Sequence, residues 1–288
     1  MPSIHATYTI LVLMAPLLKP LMHKLPVNQT SLKIPVHPLL TAYVESITLE
    51  TAKDTLSASP YKVLPDLFAV MGFQYHGSLF LLMDGKKTLL KRCGISGLQT
   101  SFKEFQPEHE QTTTLLIKFY PWAIPLLLKE SAYHLHDQAI GLAELIGYKN
   151  MDLLEEELLN AQNTSDLADI MQTFLIQLHS ANTKKSPKTA VISLAKEIMA
   201  NPLINSVNNL ATYYGYSTRT LERHFKEMIG ISPKKFLQVK RFQQAFKQLQ
   251  TGLPLSNIFT NDYYYDQSHF IHEFKQFSGC TPGEILCY

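Results

Sequence analysis

The sequence predicts an α+β protein: a strand-rich amino-terminal domain with trailing helices, then an all-helical domain containing two helix-turn-helix units. Three observations carry this. From Ile34 to Tyr120, short apolar stretches alternate with turn residues, as strands do. Beyond Pro121 the apolar spacing lengthens to three and four, the period of amphipathic helices. The last third of the chain repeats itself. With 288 residues there is room for two domains and a sizeable core, and 45% hydrophobic against 17% charged residues excludes a disordered, collagen-like or fibrous chain.

Residues 1–30 are expected to be a poorly ordered extension. The apolar run from Tyr8 to Leu18 is much shorter than the ~20 residues that span a bilayer, and no Lys or Arg precedes it as in a signal peptide. A later start at Met14 or Met22, or an interfacial or export segment, are the alternatives. Residues 31–182 form the strand-rich domain. Leu79 to Met83, Asp84-Gly85 and Lys86 to Leu90 read as a hairpin, because Asp-Gly accommodates the positive φ angles of a tight turn. Thr112 to Tyr120 is a β-branched and aromatic strand closed by Pro121. Ala139 to Ile146, Met151 to Asn160 and Asp166 to His179 read as helices. Residues 183–188, Thr-Lys-Lys-Ser-Pro-Lys, contain no large apolar side chain and read as a linker to a helical domain over 189–288.

Charge separates the two parts. Residues 1–182 hold 13 Lys and Arg against 17 Asp and Glu, a net of −4, whereas residues 183–288 hold 13 against 7, a net of +6. A basic end on a mildly acidic body is the asymmetry expected when that end meets a polyanion. Cys93, Cys280 and Cys287 form no C-x-x-C pair and no zinc spacing, so a reducing, cytoplasmic setting is expected.

Within the helical domain, Leu221, Phe225, Lys226, Gly230, Ser232 and Pro233 recur forty-nine residues later as Phe270, Phe274, Lys275, Gly279, Thr281 and Pro282. Upstream, Asn209, Thr212 and Tyr216 recur as Asn257, Thr260 and Tyr264, one residue out of step, with the shift in the turn. Each copy reads as helix, turn, helix. In the first, Val207 to Tyr214 makes a short helix, Gly215 the turn, and Ser217 caps a helix that ends at Gly230. At 100° per residue Leu221, Phe225 and Met228 share one stripe, while Arg219, Arg223 and Lys226 lie on the opposite face within about 60° of one another. The exposed face of a second helix in such a unit is the one that enters the major groove, where Arg bonds guanine bidentately. In the second copy Phe270, Phe274 and Phe277 point inward, and Ser268, His272, Lys275 and Gln276 outward. This less cationic face suits phosphate contacts or shape readout. Pro233 to Gln250 reads as one long helix between the copies, a strut that would set two reading heads onto successive grooves roughly 34–36 Å apart.

These residues resemble the AraC/XylS family of bacterial transcription regulators over about residues 189–288. The likeness rests on Leu210-Ala211, Gly215, Ser217, Arg219, Leu221, Arg223 and Phe225, then Gly230, Ser232, Pro233, Arg241 and Ala245. It continues through Tyr264-Tyr265-Asp266-Gln267-Ser268-His269-Phe270, Phe274-Lys275, Gly279 and Pro282. The resemblance implies a seven-helix domain that binds promoter DNA and usually activates transcription. Three positions depart from the family pattern, which commonly has alanine at Phe259, glycine at Tyr263 and often arginine at His272. A bulky residue in the turn at Tyr263 costs of order 1 kcal/mol or imposes another turn geometry. The amino-terminal domain resembles, through His37-Pro38-Leu39-Leu40, Pro65-Asp66, Gly97, Ile117-Lys118-Phe119 and Pro121, the sensor domain that precedes this module in some members. That relation implies effector sensing or dimerisation.

Other constellations point nowhere sharper. His134, His136 and Asp137 lack a further ligand at a recognisable metal spacing, and His269 with His272 is not the i, i+4 pair of zinc proteases. Gly94 to Gly97 lacks the spacing of a nucleophile elbow, and no phosphate loop or dinucleotide fingerprint is present. Phe119, Tyr120 and Trp122 read as core, and Glu155 to Glu157 as a solvated helix face. The expectation is a cytoplasmic, non-enzymatic, DNA-binding transcription regulator without cofactor or metal. Ser217, Arg219, Thr220, Arg223 and Lys226 are the candidates at the first groove, and Gln267, Ser268, His272 and Lys275 at the second. Arg219 and Arg223 would read bases; Lys226 and Lys275 would anchor phosphates. Double-stranded promoter DNA and RNA polymerase are the expected partners, with a small-molecule effector and a homodimer allowed and no membrane role. The alternative is a ligand-binding protein whose helical end has lost DNA affinity and serves protein contacts.

Overall fold

The computed structural model describes residues 28–53, 60–180, 189–201, 204, 206, 214–259 and 266–286. The stretch 1–27, the 183–188 linker, most of the Val207 to Tyr214 helix, Thr260, Tyr263 to Tyr265 and Cys287 lie outside the described residues.

The amino-terminal domain contains two antiparallel sheets. The larger is built from β1 (Asn28–Ile34), β2 (Val44–Lys53), β4 (Ala69–His76), β7 (Cys93–Ser96), β9 (Gln111–Phe119) and β10 (Ala139–Gly141), in the order β1-β2-β9-β4-β7-β10. The smaller orders β3 (Tyr61–Val63), β8 (Lys103–Pro107), β5 (Leu79–Met83) and β6 (Lys86–Leu89) as β3-β8-β5-β6. The β5–β6 hairpin closes through Asp84 and Gly85, both at positive φ, with Met83 opposite Lys86. β1 starts at Asn28, within the stretch expected to be an extension, because it pairs with β2 along its whole length, Asn28 opposite Lys53.

Register makes the core. Ile47, Ile117, Met71, Ile95 and Ile140 stand side by side across β2, β9, β4, β7 and β10. The first four are at most 2% exposed, and full burial stabilises each such side chain by about 1.5–3 kcal/mol. Against this row pack α2 (Tyr148–Leu159), through Met151, Leu154 and Leu158, and α3 (Thr164–Ser180), through Leu167, Met171 and Leu175. The expected helix over Ala139 to Ile146 is corrected here. Ala139–Gly141 pairs with β7, and only Ala143–Ile146 (α1) is helical. Gly141 and Gly94 face each other without side chains, so the ladder captures a segment too short to hold a helix.

Between β9 and β10 runs a connector: a π-helix (Ile124–Leu128), Lys129 in the left-handed conformation at φ 59°, and a 3-10 helix (Ala132–Leu135). Its side chains divide between two cores. Ile124 and Leu127 belong to the core under the large sheet, whereas Trp122 and Leu126 pack into the core of the carboxy-terminal domain.

That second domain is helical: α4 (Thr189–Ala200), α5 (Thr218–Ile229), α6 (Pro233–Gln250), α7 (Leu255–Phe259), α8 (Gln267–Ser278) and α9 (Pro282–Leu286). Among the described residues it contains no strand. Its core is aromatic, with Phe225 edge-on to Phe236 and Phe242 between Phe274 and Phe277. Leu67, Leu98 and Trp122 of the strand-rich domain complete the same cluster, so the two domains share buried surface.

Candidate nucleic-acid interface

The two copies of the repeat agree down to their hydrogen bonds. At the start of α5 the Ser217 hydroxyl accepts from the Thr220 backbone N–H at 3.2 Å, and at the start of α8 the Asp266 carboxylate accepts from that of His269 at 2.7 Å. Each oxygen satisfies a helix-terminal donor that would otherwise lack an intrahelical partner. The helices end at Gly230 (φ 103°) and Gly279 (φ 77°), the left-handed residues at which such helices stop. Ser232 then caps α6 through the Lys235 N–H, and Thr281 caps α9 through the Glu284 N–H.

On α5, Leu221, Phe225, Met228 and Ile229 are buried. Arg219, Arg223 and Lys226 are exposed together on the far side, accompanied by the exposed acids Glu222 and Glu227. Arg223 lies 3.3 Å from the His224 ring, which stands edge-on to Tyr216. Thr220 is half-buried, and its hydroxyl is 2.9 Å from that of Ser217, so these two candidates already cap the helix between them. On α8, Gln267, Ser268, His272 and Lys275 are exposed, while Phe270, Phe274 and Phe277 are buried.

Sequence reasoning missed what fixes these helices in place. Glu273, next to the outward His272, turns inward and is 3% exposed. It accepts from Arg241 Nη2 at 3.2 Å and from Gln238 Nε2 at 2.9 Å, tying α8 to α6. Lys240 is buried with its Nζ on the Asn201 carbonyl, and burial holds its pKa below that of an ordinary lysine. Helix α5 contacts both the π-helix and the 3-10 helix of the connector.

Both C-caps abut the strand-rich domain. A Cβ at Gly230 would stand 3.0 Å from the Ala132 carbonyl oxygen, and one at Gly279 would stand 2.5 Å from the Phe102 ring. The C-terminal ends of α5 and α8 are thus seated, while Ser217 to Arg219 and Asp266 to Ser268 at their N-terminal ends are exposed. In helix-turn-helix proteins it is the N-terminal end of the second helix that contacts base edges. Across the same boundary Gln243 of α6 donates to Asp66 at 2.5 Å. Asp66 also holds Lys118 of β9 at 2.9 Å, and Lys196 of α4 lies over the Trp122 ring. Burial works against the Lys118 charge, but Asp66 outweighs it and raises the pKa.

The histidine cluster has a structural role. Asp137, at φ 55°, accepts from the Thr100 N–H on Oδ1 at 2.7 Å and from the Thr100 hydroxyl on Oδ2 at 2.6 Å, with His136 Nε2 3.0 Å from the same Oδ2. Burial opposes its charge, but His136 and Thr100 together hold its pKa at about 2. Among the described residues no group of three or more His, Cys, Asp or Glu could hold a metal ion, and no helix is long and apolar enough to cross a membrane.

Residues 210–286, which include these capped helices and their outward cations, match the family model described as a helix-turn-helix domain. In this domain the chain is similar to regulators of the AraC/XylS type. Residues 32–141 match a family model described as a domain of unknown function, DUF6597. The chain is 31% identical over 102 residues to the F1 operon positive regulatory protein of Yersinia pestis, a match covering 35% of this chain and 34% of that protein. It thus spans about a third of the length of the curated relative it matches. Among solved structures, ToxT from Vibrio cholerae aligns over 84% of this chain and 97% of its own, with 12% identity and a TM-score of 0.44. An unsaturated fatty acid-bound ToxT aligns over 83% and 94%, with 11% identity and a TM-score of 0.41.

Proposed function

We propose that this chain is a sequence-specific DNA-binding transcription regulator, acting from the cytoplasm as an activator. The carrying observation is that Arg219, Arg223 and Lys226 stand exposed together on α5, opposite a fully buried stripe. Arg219 and Arg223 read base edges in one major groove, with Ser217 and Thr220 shaping the N-terminal end of the helix for a phosphate. Lys226 anchors the backbone. Gln267, Ser268, His272 and Lys275 meet the next groove, where Lys275 supplies the phosphate contact.

Activation, with RNA polymerase as partner, is supported by the name of the Yersinia relative, a positive regulatory protein of an operon. Residues 31–182 serve as the sensor or dimerisation domain and residues 189–288 as the DNA-binding domain. Their shared buried surface gives the first a mechanical hold on the second. No reaction is assigned to either.

One observation favours a second reading, a ligand-binding protein whose helical domain serves protein contacts: the second outward face carries Lys275 and few other charges. Gel shift against genomic fragments over a range of salt separates the two. A regulator binds selected fragments with an affinity that falls steeply with salt, because phosphate contacts release counterions. Absence of binding at low salt supports the second reading.

A further inference from the structure

The strand-rich domain carries a cleft of about 680 Å³ between the π-helix, α2 and α3, within the ~300–1,000 Å³ range of small-molecule sites. Its floor is apolar, with Leu127 and Leu154 buried and Ile170 and Phe174 half-buried. Three charges stand at its rim, the acids Glu157 and Asp169 and the base Lys129. One wall is irregular backbone, a π-helix ending in a left-handed Lys129, a kind of local geometry that recurs at functional sites.

From these features we infer that the cleft binds a small cationic amphiphile, an alkyl- or arylamine, whose apolar part lies on Leu127, Ile170 and Phe174 and whose ammonium meets Glu157 and Asp169. Two acids against one base give the rim a net negative charge, which selects a cation over a carboxylate of the same length. The cleft is also linked to the first reading helix. Leu127 and Leu128 line it, Leu126 of the same turn packs into the carboxy-terminal core, and four residues past Leu128 the Ala132 carbonyl lies against Gly230 at the end of α5. A ligand that repositions the π-helix therefore moves the seat of α5. This last step rests on the DNA-binding reading; the cleft itself does not.

The test uses the full chain without DNA. The neutral dye N-phenyl-1-naphthylamine is titrated by fluorescence, then displaced by decylammonium, decanol or decanoate below their micellar concentrations. The dye should bind saturably, and decylammonium should displace it at a roughly tenfold lower concentration than decanoate. The exposed pair Glu157→Gln with Asp169→Asn should abolish that difference while keeping dye binding, and Ile170→Trp should fill the cleft and abolish dye binding. Decylammonium should also slow hydrogen exchange in residues 124–135 and 228–232. Non-saturable dye binding, equal displacement by decanoate, an unchanged preference in the Glu157/Asp169 variant, or concentration-dependent dimerisation that excludes the dye would overturn the assignment. If Ile170→Trp does not fold, the Glu157/Asp169 variant decides. A chain that binds the amine but no DNA would refute only the regulator reading, and one that binds DNA but no amine would refute only the cleft.

Discussion

Arg241 of the long helix reaches the buried carboxylate of Glu273 on the second reading helix, 3.2 Å from Nη2 to Oε2. This contact, with the Phe242, Phe274 and Phe277 rings beneath it, turns α6 and α8 into one rigid piece. Glu273→Ala leaves the largely buried Arg241 without this counter-ion, a loss worth roughly 3 kcal/mol when one member of a buried pair is removed. Urea denaturation of Glu273→Ala should show a clear fall in midpoint. Addition of Arg241→Met should restore part of it, since a volume-matched apolar side chain needs no counter-ion.

The helix caps supply a matched pair of tests. Ser217→Ala and Asp266→Ala each remove a side-chain acceptor from a terminal N–H, at a cost of about 1 kcal/mol. Thermal melts should place the two variants within a few degrees of each other, and Ser217→Asp should stay near the parent.

Seating of the reading helices is tested at Gly279. An alanine there meets both a φ of 77° and the Phe102 ring, so Gly279→Ala should destabilise by about 1–2 kcal/mol. Phe102→Ala in the same chain should relieve the steric part and leave the backbone part, which chemical denaturation of the single and double variants resolves.

Asp137 makes stability depend on pH. Its folded pKa of about 2 lies below the unfolded value near 3.9, so its contribution is fully present above pH ~4 and is lost as pH falls toward 2. The expected size is about 2 kcal/mol. Comparison of unfolding midpoints at pH 5 and pH 2.5 should show a smaller drop for Asp137→Asn than for the parent chain, since asparagine does not titrate and tolerates the left-handed backbone.

Features written in short-range chemistry were legible in the sequence. The Asp84-Gly85 turn, the Ser217 and Ser232 caps, Gly230, and the Leu221/Phe225/Met228 stripe each follow from residues a few places apart, and the repeat doubled the evidence for all but the first. Contacts that join distant segments left no such trace. Nothing local marks Ala139 to Gly141 as a strand, because the pairing partner is β7, more than forty residues earlier. Glu273 falls at the edge of the Phe270/Phe277 stripe at 100° per residue, but its partner Arg241 is 32 residues away, so nothing local marks the pair. Likewise, Trp122 was legible as core, but that it belongs to the other domain's core depends on packing against α4 and its neighbours.

The central claim is that the exposed cations of α5 read DNA sequence. Binding sites selected in vitro from random DNA by the parent chain, then titrated with Arg223→Ala at fixed salt, test it most directly. The account predicts a loss of about 1–3 kcal/mol on the selected site, relaxed preference at one base position, and little change on unselected DNA. Equal binding by Arg223→Ala and the parent chain to the selected site would contradict it.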